Sequence, residues 1–147
     1  MQPTLASPST EAFRVAAFLG IEKIAENRVA LADCVARGLP VKTVDTVRAK
    51  VGNAVFGKIL PAATMNRVKR QAKPLSREAS EKLYEFGRTY ELALRIYRGD
   101  AERMMAFMQR PHALLDGRTP LELATSSSAG ADAVIDLLNR ADAGFAA

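Results

Sequence analysis

Asn66, Arg67, Lys69, Arg70 and Lys73 fall within eight consecutive residues. If that stretch is helical, Asn66, Arg67 and Arg70 share an outer face at spacings of three and four. Asparagine reads an adenine edge and arginine a guanine edge with paired hydrogen bonds, while Lys69 and Lys73 can neutralise phosphates. The chemistry suits DNA; the alternative is a solvated basic helix packed on its neighbour. Catalytic chemistry has far less to work with. His112 is the single histidine and Cys34 the single cysteine, so an intrachain disulfide and any Cys/His metal cluster are excluded. Cys34, close to Ala32 and Val35, reads as a small core residue, and His112, beside Pro111, as a surface or capping residue. There is no phosphate-cradling glycine loop. The chain is expected to be no enzyme and to carry no cofactor and no metal.

The distribution of charge divides the chain. Between Lys42 and Lys73 eight basic residues face Asp45 alone, whereas from Asp100 onward seven acidic residues outnumber four arginines. The first segment suits a polyanion and the second does not, which implies two functional surfaces. No apolar run reaches the roughly 20 residues of a membrane span, and the first residues lack a signal peptide's basic start and apolar core. A cytoplasmic protein without membrane association is expected.

Apolar residues recur at three and four throughout, with no strand-type alternation, so the fold class is all-α. Residues 1–9, with Pro3, Ser7, Pro8 and Ser9, read as a disordered lead-in. Helices are expected at about 10–19 before Gly20, 22–36 before Gly38 and Pro40, and 41–51 before Gly52. Asn53 can cap a helix to about 59. Thr64 can cap the basic helix, Met65 to Ala72, with Val68 and Ala72 facing the core. The intervening turn, Leu60-Pro61-Ala62-Ala63, is then about one residue longer than in most helix-turn-helix motifs. Ser76 opens the longest helix, to Tyr97, stopped by Gly99. Leu83, Phe86, Tyr90 and Tyr97 form a stripe on it, either core or a homodimer seam.

Beyond Gly99, Asp100 can cap Ala101–Met108. Thr119-Pro120-Leu121-Glu122 combines a capping box with proline at the first helical position. A serine-rich loop, Thr125 to Gly130, leads to a last helix, Ala131 to about Ala143, which Gly144 ends. The division is therefore residues 10–99 as a helical domain with a degenerate helix-turn-helix, and residues 100–147 as a small helical module.

The C-terminal run Phe107, Pro111, Leu114-Leu115, Gly117, Thr119-Pro120-Leu121-Glu122-Leu123, Thr125, Gly130, Val134, Leu137-Leu138, Arg140 and Gly144 resembles the toxin-binding domain of the Xre/MbcA/ParS antitoxins. Upstream, Gly38-Leu39-Pro40 and the helical order after it are similar to the Xre-like helix-turn-helix of the same proteins. The resemblance implies a type II toxin-antitoxin system whose toxin has a RES domain and consumes NAD, by degrading it or by ADP-ribosylating a target. It further implies that the antitoxin's last helix and tail cover the toxin's active site, with Arg140, Asp142, Gly144, Phe145, Ala146 and Ala147 as toxin-contacting residues. The box from Thr119 to Leu123 is expected to build the module rather than touch the toxin. A hetero-oligomer with the toxin, a homodimer and repression of its own operon are expected with it. The alternative is a DNA-binding transcriptional regulator without a toxin partner.

Overall fold

Short polar side chains that accept a backbone N–H start the helices. Thr10 accepts from Phe13 N at 3.2 Å, Asn27 from Ala30 N at 2.8 Å, Asp100 from Arg103 N at 3.1 Å and Thr119 from Glu122 N at 3.1 Å. Each satisfies one of the amide hydrogens that a first helical turn leaves without an internal partner. The structure, a computed structural model, describes residues 10–146, with side chains through Gly144. The lead-in expected at residues 1–9 lies outside the described residues.

Among the described residues the chain is all-helical: α1 (Glu11–Leu19), α2 (Arg28–Arg37), α3 (Lys42–Val51), α4 (Asn53–Ile59), α5 (Ala62–Gln71), α6 (Arg77–Ile96), α7 (Ala101–Met108), α8 (Pro120–Ser126) and α9 (Ser128–Ala146). A 3-10 turn, Ala113–Leu115, sits between α7 and α8. The chain packs as two units that divide between Tyr84 and Glu85, inside α6. Gly99, the expected boundary, lies within the second unit.

In the first unit α1 packs on α2 and α3, and α3 on α4. Phe18, Leu19, Ile21, Val47, Phe56 and Ile59 are buried. The loop before α3 is pinned to the segment before and at the start of α6. Leu75 N donates to Leu39 O at 2.9 Å, and Leu39 N donates to the buried Ser80 hydroxyl at 2.8 Å. Gly38, at φ +110, permits this approach, because a Cβ there would run into the Leu75 carbonyl oxygen. The basic helices α3 to α5 thus lie between two chain segments that are bonded to each other.

Several boundaries differ from expectation, each for a local reason. The helix expected over 22–36 starts at Arg28, since Asn27 caps it and Ile21 accepts from Ala25 N in a preceding turn. Asn53 is the first residue of α4 rather than its cap, a place taken by Gly52. Helix α5 begins at Ala62, not Met65: Pro61 (φ −61) stands at the cap position and two alanines, the best helix formers, follow it. The serine-rich loop shrinks to Ser127, whose hydroxyl accepts from Gly130 N at 3.0 Å and so starts α9.

In the second unit α8 packs closely on α9, α7 on α8, and the 3-10 turn on α9. Met104, Met108, Leu121, Val134 and Leu138 are buried. Gly130 sits where α8 and α9 approach, and a Cβ would collide with the Leu123 carbonyl oxygen. Gly144 does not end α9, which continues through Ala146. A glycine stops a helix by turning to left-handed φ, as Gly20 (φ +73) and Gly99 (φ +83) do, and Gly144 keeps a helical φ.

Candidate functional site

The turn between α4 and α5 is Leu60-Pro61, shorter than the four-residue turn expected, and Leu60 is buried. Helix α5 buries no residue at all. Val68 is half-buried. Ala72, expected in the core, is exposed and caps the helix at φ +51. The amphipathic pattern on α5 is therefore present without a core partner that uses it. What α5 presents instead is its polar face: Asn66, Arg67, Lys69 and Arg70 are all exposed, as is Lys73 just beyond. Among the described residues, none of the four cations is held in an ion pair. These cations are free to meet phosphate or base.

Other cations of the basic segment have structural employment. Arg48 Nη2 pairs with Asp45 Oδ1 at 2.5 Å. Lys50 Nζ donates to the carbonyls of Phe18 (2.8 Å) and Ala17 (3.3 Å), and it lies 5.0 Å from the Phe18 ring centroid. It thereby neutralises the negative end of α1, which has no basic residue in its last turn. The charge count of the sequence alone could not separate these lysines and arginines from those on α5.

The stripe on α6 is core. Leu83, Phe86 and Ala93 have no exposure and Tyr90 is 6% exposed, while Tyr97 is half-buried with its ring 5.9 Å from that of Phe107. Cys34 is half-buried, and burial pushes its thiol up, opposed only in part by Arg37. A thiol so placed is a poor nucleophile. His112 is half-buried and stands, as a capping residue, at the N-cap position of the 3-10 turn, without a side-chain cap bond. Its ring packs 4.9 Å from Phe107, its Nε2 is buried without a hydrogen-bond partner, and its backbone N donates to Arg118 O at 3.1 Å.

In the second unit the Thr119 to Leu123 box is structural in form, with Pro120 and Leu121 buried and the Thr119 hydroxyl at the cap. Helix α9 is built on the buried Ala131, Val134 and Leu138. Beyond Leu138 none of residues 139–144 is buried, so about two turns extend past the last core contact. Arg140, Asp142 and Gly144 are exposed on that extension, and Arg140 pairs with Asp136 at 3.0 Å. Phe145 and Ala146 continue its backbone, their side chains lying outside the described part, and Ala147 lies outside the described residues. One feature was missed from sequence: the pair Leu114-Leu115 splits, Leu115 being buried and Leu114 76% exposed on the 3-10 turn.

Two family models match. Residues 30–88 match the antitoxin Xre-like helix-turn-helix domain, and residues 93–144 match the antitoxin Xre/MbcA/ParS C-terminal toxin-binding domain. The chain belongs to the Xre/MbcA/ParS antitoxin family. The Xre-like match spans α3 to α5 with their pinned loops, and the Xre/MbcA/ParS toxin-binding match spans the end of α6 through Gly144 of α9. No curated protein matches the chain. As an Xre/MbcA/ParS antitoxin, the protein has a toxin partner and a helix-turn-helix suited to DNA. Among the described residues no helix is long and apolar enough to cross a membrane, and no group of His, Cys, Asp and Glu could hold a metal ion.

Proposed function

We propose that this antitoxin neutralises a RES-domain, NAD-consuming toxin in the cytoplasm by covering the toxin's active site with the end of α9. The observation that carries the reading is the extension of α9 past Leu138. It is helical, unburied and part of the unit matched as toxin-binding. Arg140, Asp142 and Gly144 are exposed there, and Phe145, Ala146 and Ala147 follow. A mixed-charge helix end fits a pocket shaped for a dinucleotide's phosphates and rings better than an apolar one would. The RES assignment comes from the family resemblance. The inhibitor works by occupancy and is itself no enzyme.

The same chain represses its own operon through α5 in this reading. Asn66, Arg67 and Arg70 contact bases, and Lys69 and Lys73 contact phosphates. Four exposed polar residues on a helix that buries nothing of its own, with the exposed Lys73 just beyond it, support that role.

The test is co-expression with the product of the adjacent gene. The full chain is expected to co-purify with that protein and to abolish its NAD consumption. Deleting Asp142 to Ala147 is expected to restore NAD consumption while leaving thermal stability unchanged. Full inhibition by the shortened chain overturns the role given to the end of α9; an adjacent-gene product that leaves NAD untouched overturns the RES assignment.

A further inference from the structure

Leu114 is the most exposed large hydrophobic side chain among the described residues, and it lies in the segment matched as toxin-binding. A single exposed leucine is ordinary on a protein surface; what sets this one apart is how firmly its turn is held. His112 N donates to Arg118 O at 3.1 Å, and the His112 carbonyl oxygen accepts from Leu115 N at 3.0 Å and from Gly117 N at 2.8 Å. Asp116 (φ +55) and Gly117 (φ +77) are both left-handed, which turns the chain back toward that bridge. At the base the His112 ring packs 4.9 Å from that of Phe107, Leu115 is buried, and the turn packs on α9. Leu114 is therefore carried on a rigid knob fixed to the helix beside it. Arg110 and Arg118 flank the knob where its two ends meet, and both are exposed. Among the described residues neither is held in an ion pair. Asp116 is the one acidic residue between them, so the knob is locally basic in a segment that is acidic as a whole.

We propose that this knob anchors the toxin: Leu114 enters an apolar pocket on the toxin's surface, and carboxylates on the rim of that pocket meet Arg110 and Arg118. The pocket is separate from the one that the end of α9 covers in the proposed inhibition, and the inference rests on that reading for its partner. Continuity identifies the occupant, since the turn packs on α9 and lies inside the toxin-binding match, residues 93–144. A second copy of the chain fits poorly, because a two-fold contact through Leu114 sets a net-positive patch against its own copy. A leucine at the tip has nothing to offer a phosphate backbone. A hydrophobic side chain held rigid beforehand loses little freedom on docking, and a few such anchors carry most of an interface's energy. Charges at the rim add specificity and speed the encounter. The two ends of the module then divide the work: Leu114 holds the toxin and the end of α9 blocks it.

Calorimetric titration of the full chain into the purified product of the adjacent gene tests it. Leu114→Asp is expected to weaken affinity about thirtyfold or more, and Leu114→Met, of similar volume, to keep it within about threefold. Thermal unfolding of both variants stays at the wild-type value, because Leu114 is exposed. Arg110→Ala with Arg118→Ala weakens binding at low salt and has less effect at high salt. A Leu114→Asp chain that binds as tightly as the wild type overturns the anchor; if the chain lacking Asp142 to Ala147 meanwhile releases NAD consumption, the reading of α9 stands. If Leu114→Asp weakens binding while that shortened chain still inhibits in full, the anchor stands and the reading of α9 falls. A wild type that does not bind the adjacent-gene product overturns both. Self-association lost in Leu114→Asp with toxin affinity unchanged assigns the knob to a second copy and overturns the anchor.

Discussion

Arg88 of α6 reaches Asp132 of α9, Nη2 to Oδ1, at 3.1 Å, while its Nη1 holds Glu85 at 2.7 Å. One guanidinium thus ties the first turn of α9 to the helix that opens its unit. The two carboxylates differ in exposure, since the Glu85 side chain is 14% exposed and that of Asp132 is 63%. Removing Arg88 strands Glu85 in a poorly solvated place, whereas removing the Asp132 charge strands little. Arg88→Met is expected to cost about 1–2 kcal/mol, after discounting for the solvent around the Asp132 pair, and Asp132→Asn less than about 0.5 kcal/mol. Urea denaturation of both variants checks this; equal losses would contradict the asymmetry.

Gly130→Ala is expected to destabilise the second unit by about 1–3 kcal/mol. The added methyl meets the Leu123 carbonyl oxygen, which is backbone and cannot swing aside. Helices α8 and α9 must separate to admit it. Thermal unfolding should show the loss, and toxin inhibition should fall with it because α9 is re-aimed. A melting temperature equal to that of the wild type would show that the corner yields freely.

Lysines and arginines of the basic segment are expected to divide by role. Lys50→Ala loses the bonds to Phe18 and Ala17, at a cost of about 1 kcal/mol, and leaves operator affinity unchanged. Arg67→Ala with Arg70→Ala leaves stability unchanged, because both residues are exposed. It weakens operator affinity through lost base contacts, whereas Lys69→Ala with Lys73→Ala lowers the slope of log affinity against log salt by about 0.9 for each lysine that contacts a phosphate. Operator titrations at several salt concentrations, alongside denaturation curves, distinguish the two classes; a salt slope altered by Lys50→Ala would merge them.

Substitutions at Gly144 test in what form the end of α9 would act in the proposed inhibition. Nothing lies within 4 Å of a Cβ built there, so Gly144→Ala should stabilise the terminal turn by about 0.5–1 kcal/mol without a clash. Gly144→Pro should break it. If the segment acts as a helix, the alanine variant inhibits at least as well as the wild type and the proline variant fails. The reverse order in an NAD-consumption assay would show that the segment unwinds to act.

The features legible in the sequence are those whose physics is local. Thr10, Asp100 and Thr119 announce helices because a cap bond spans three residues, and Gly20 and Gly99 end them because only a short excursion to positive φ is needed. The Thr119 to Leu123 box was readable for the same reason. Misreadings arose where local signals competed. Asn27 out-capped a run that looked helical from Glu22 onward. Three serines hid the one, Ser127, that caps α9. Pro61 made Thr64 unnecessary as a cap. What pattern alone could not supply is whether a face finds a partner. Val68 and Ala72 have core spacing, yet Val68 is only half-buried and Ala72 is exposed, while Leu114 and Leu115 look alike and part company in the fold. Likewise Lys50 and Lys69 carry the same charge, and only the position of the end of α1 separates a structural lysine from an available one.

Helix α6 belongs to both units, because their division falls between Tyr84 and Glu85 inside it. A cut at that division falls within a helix rather than in a loop. A break at that point would leave the first unit eight residues of α6 and the second twelve. It would also expose four amide hydrogens and four carbonyls that now bond to each other, in stubs shorter than or barely as long as an isolated helix needs to persist in water. Unwinding α6 around Tyr84 and Glu85 would remove helical hydrogen bonds from residues of both units.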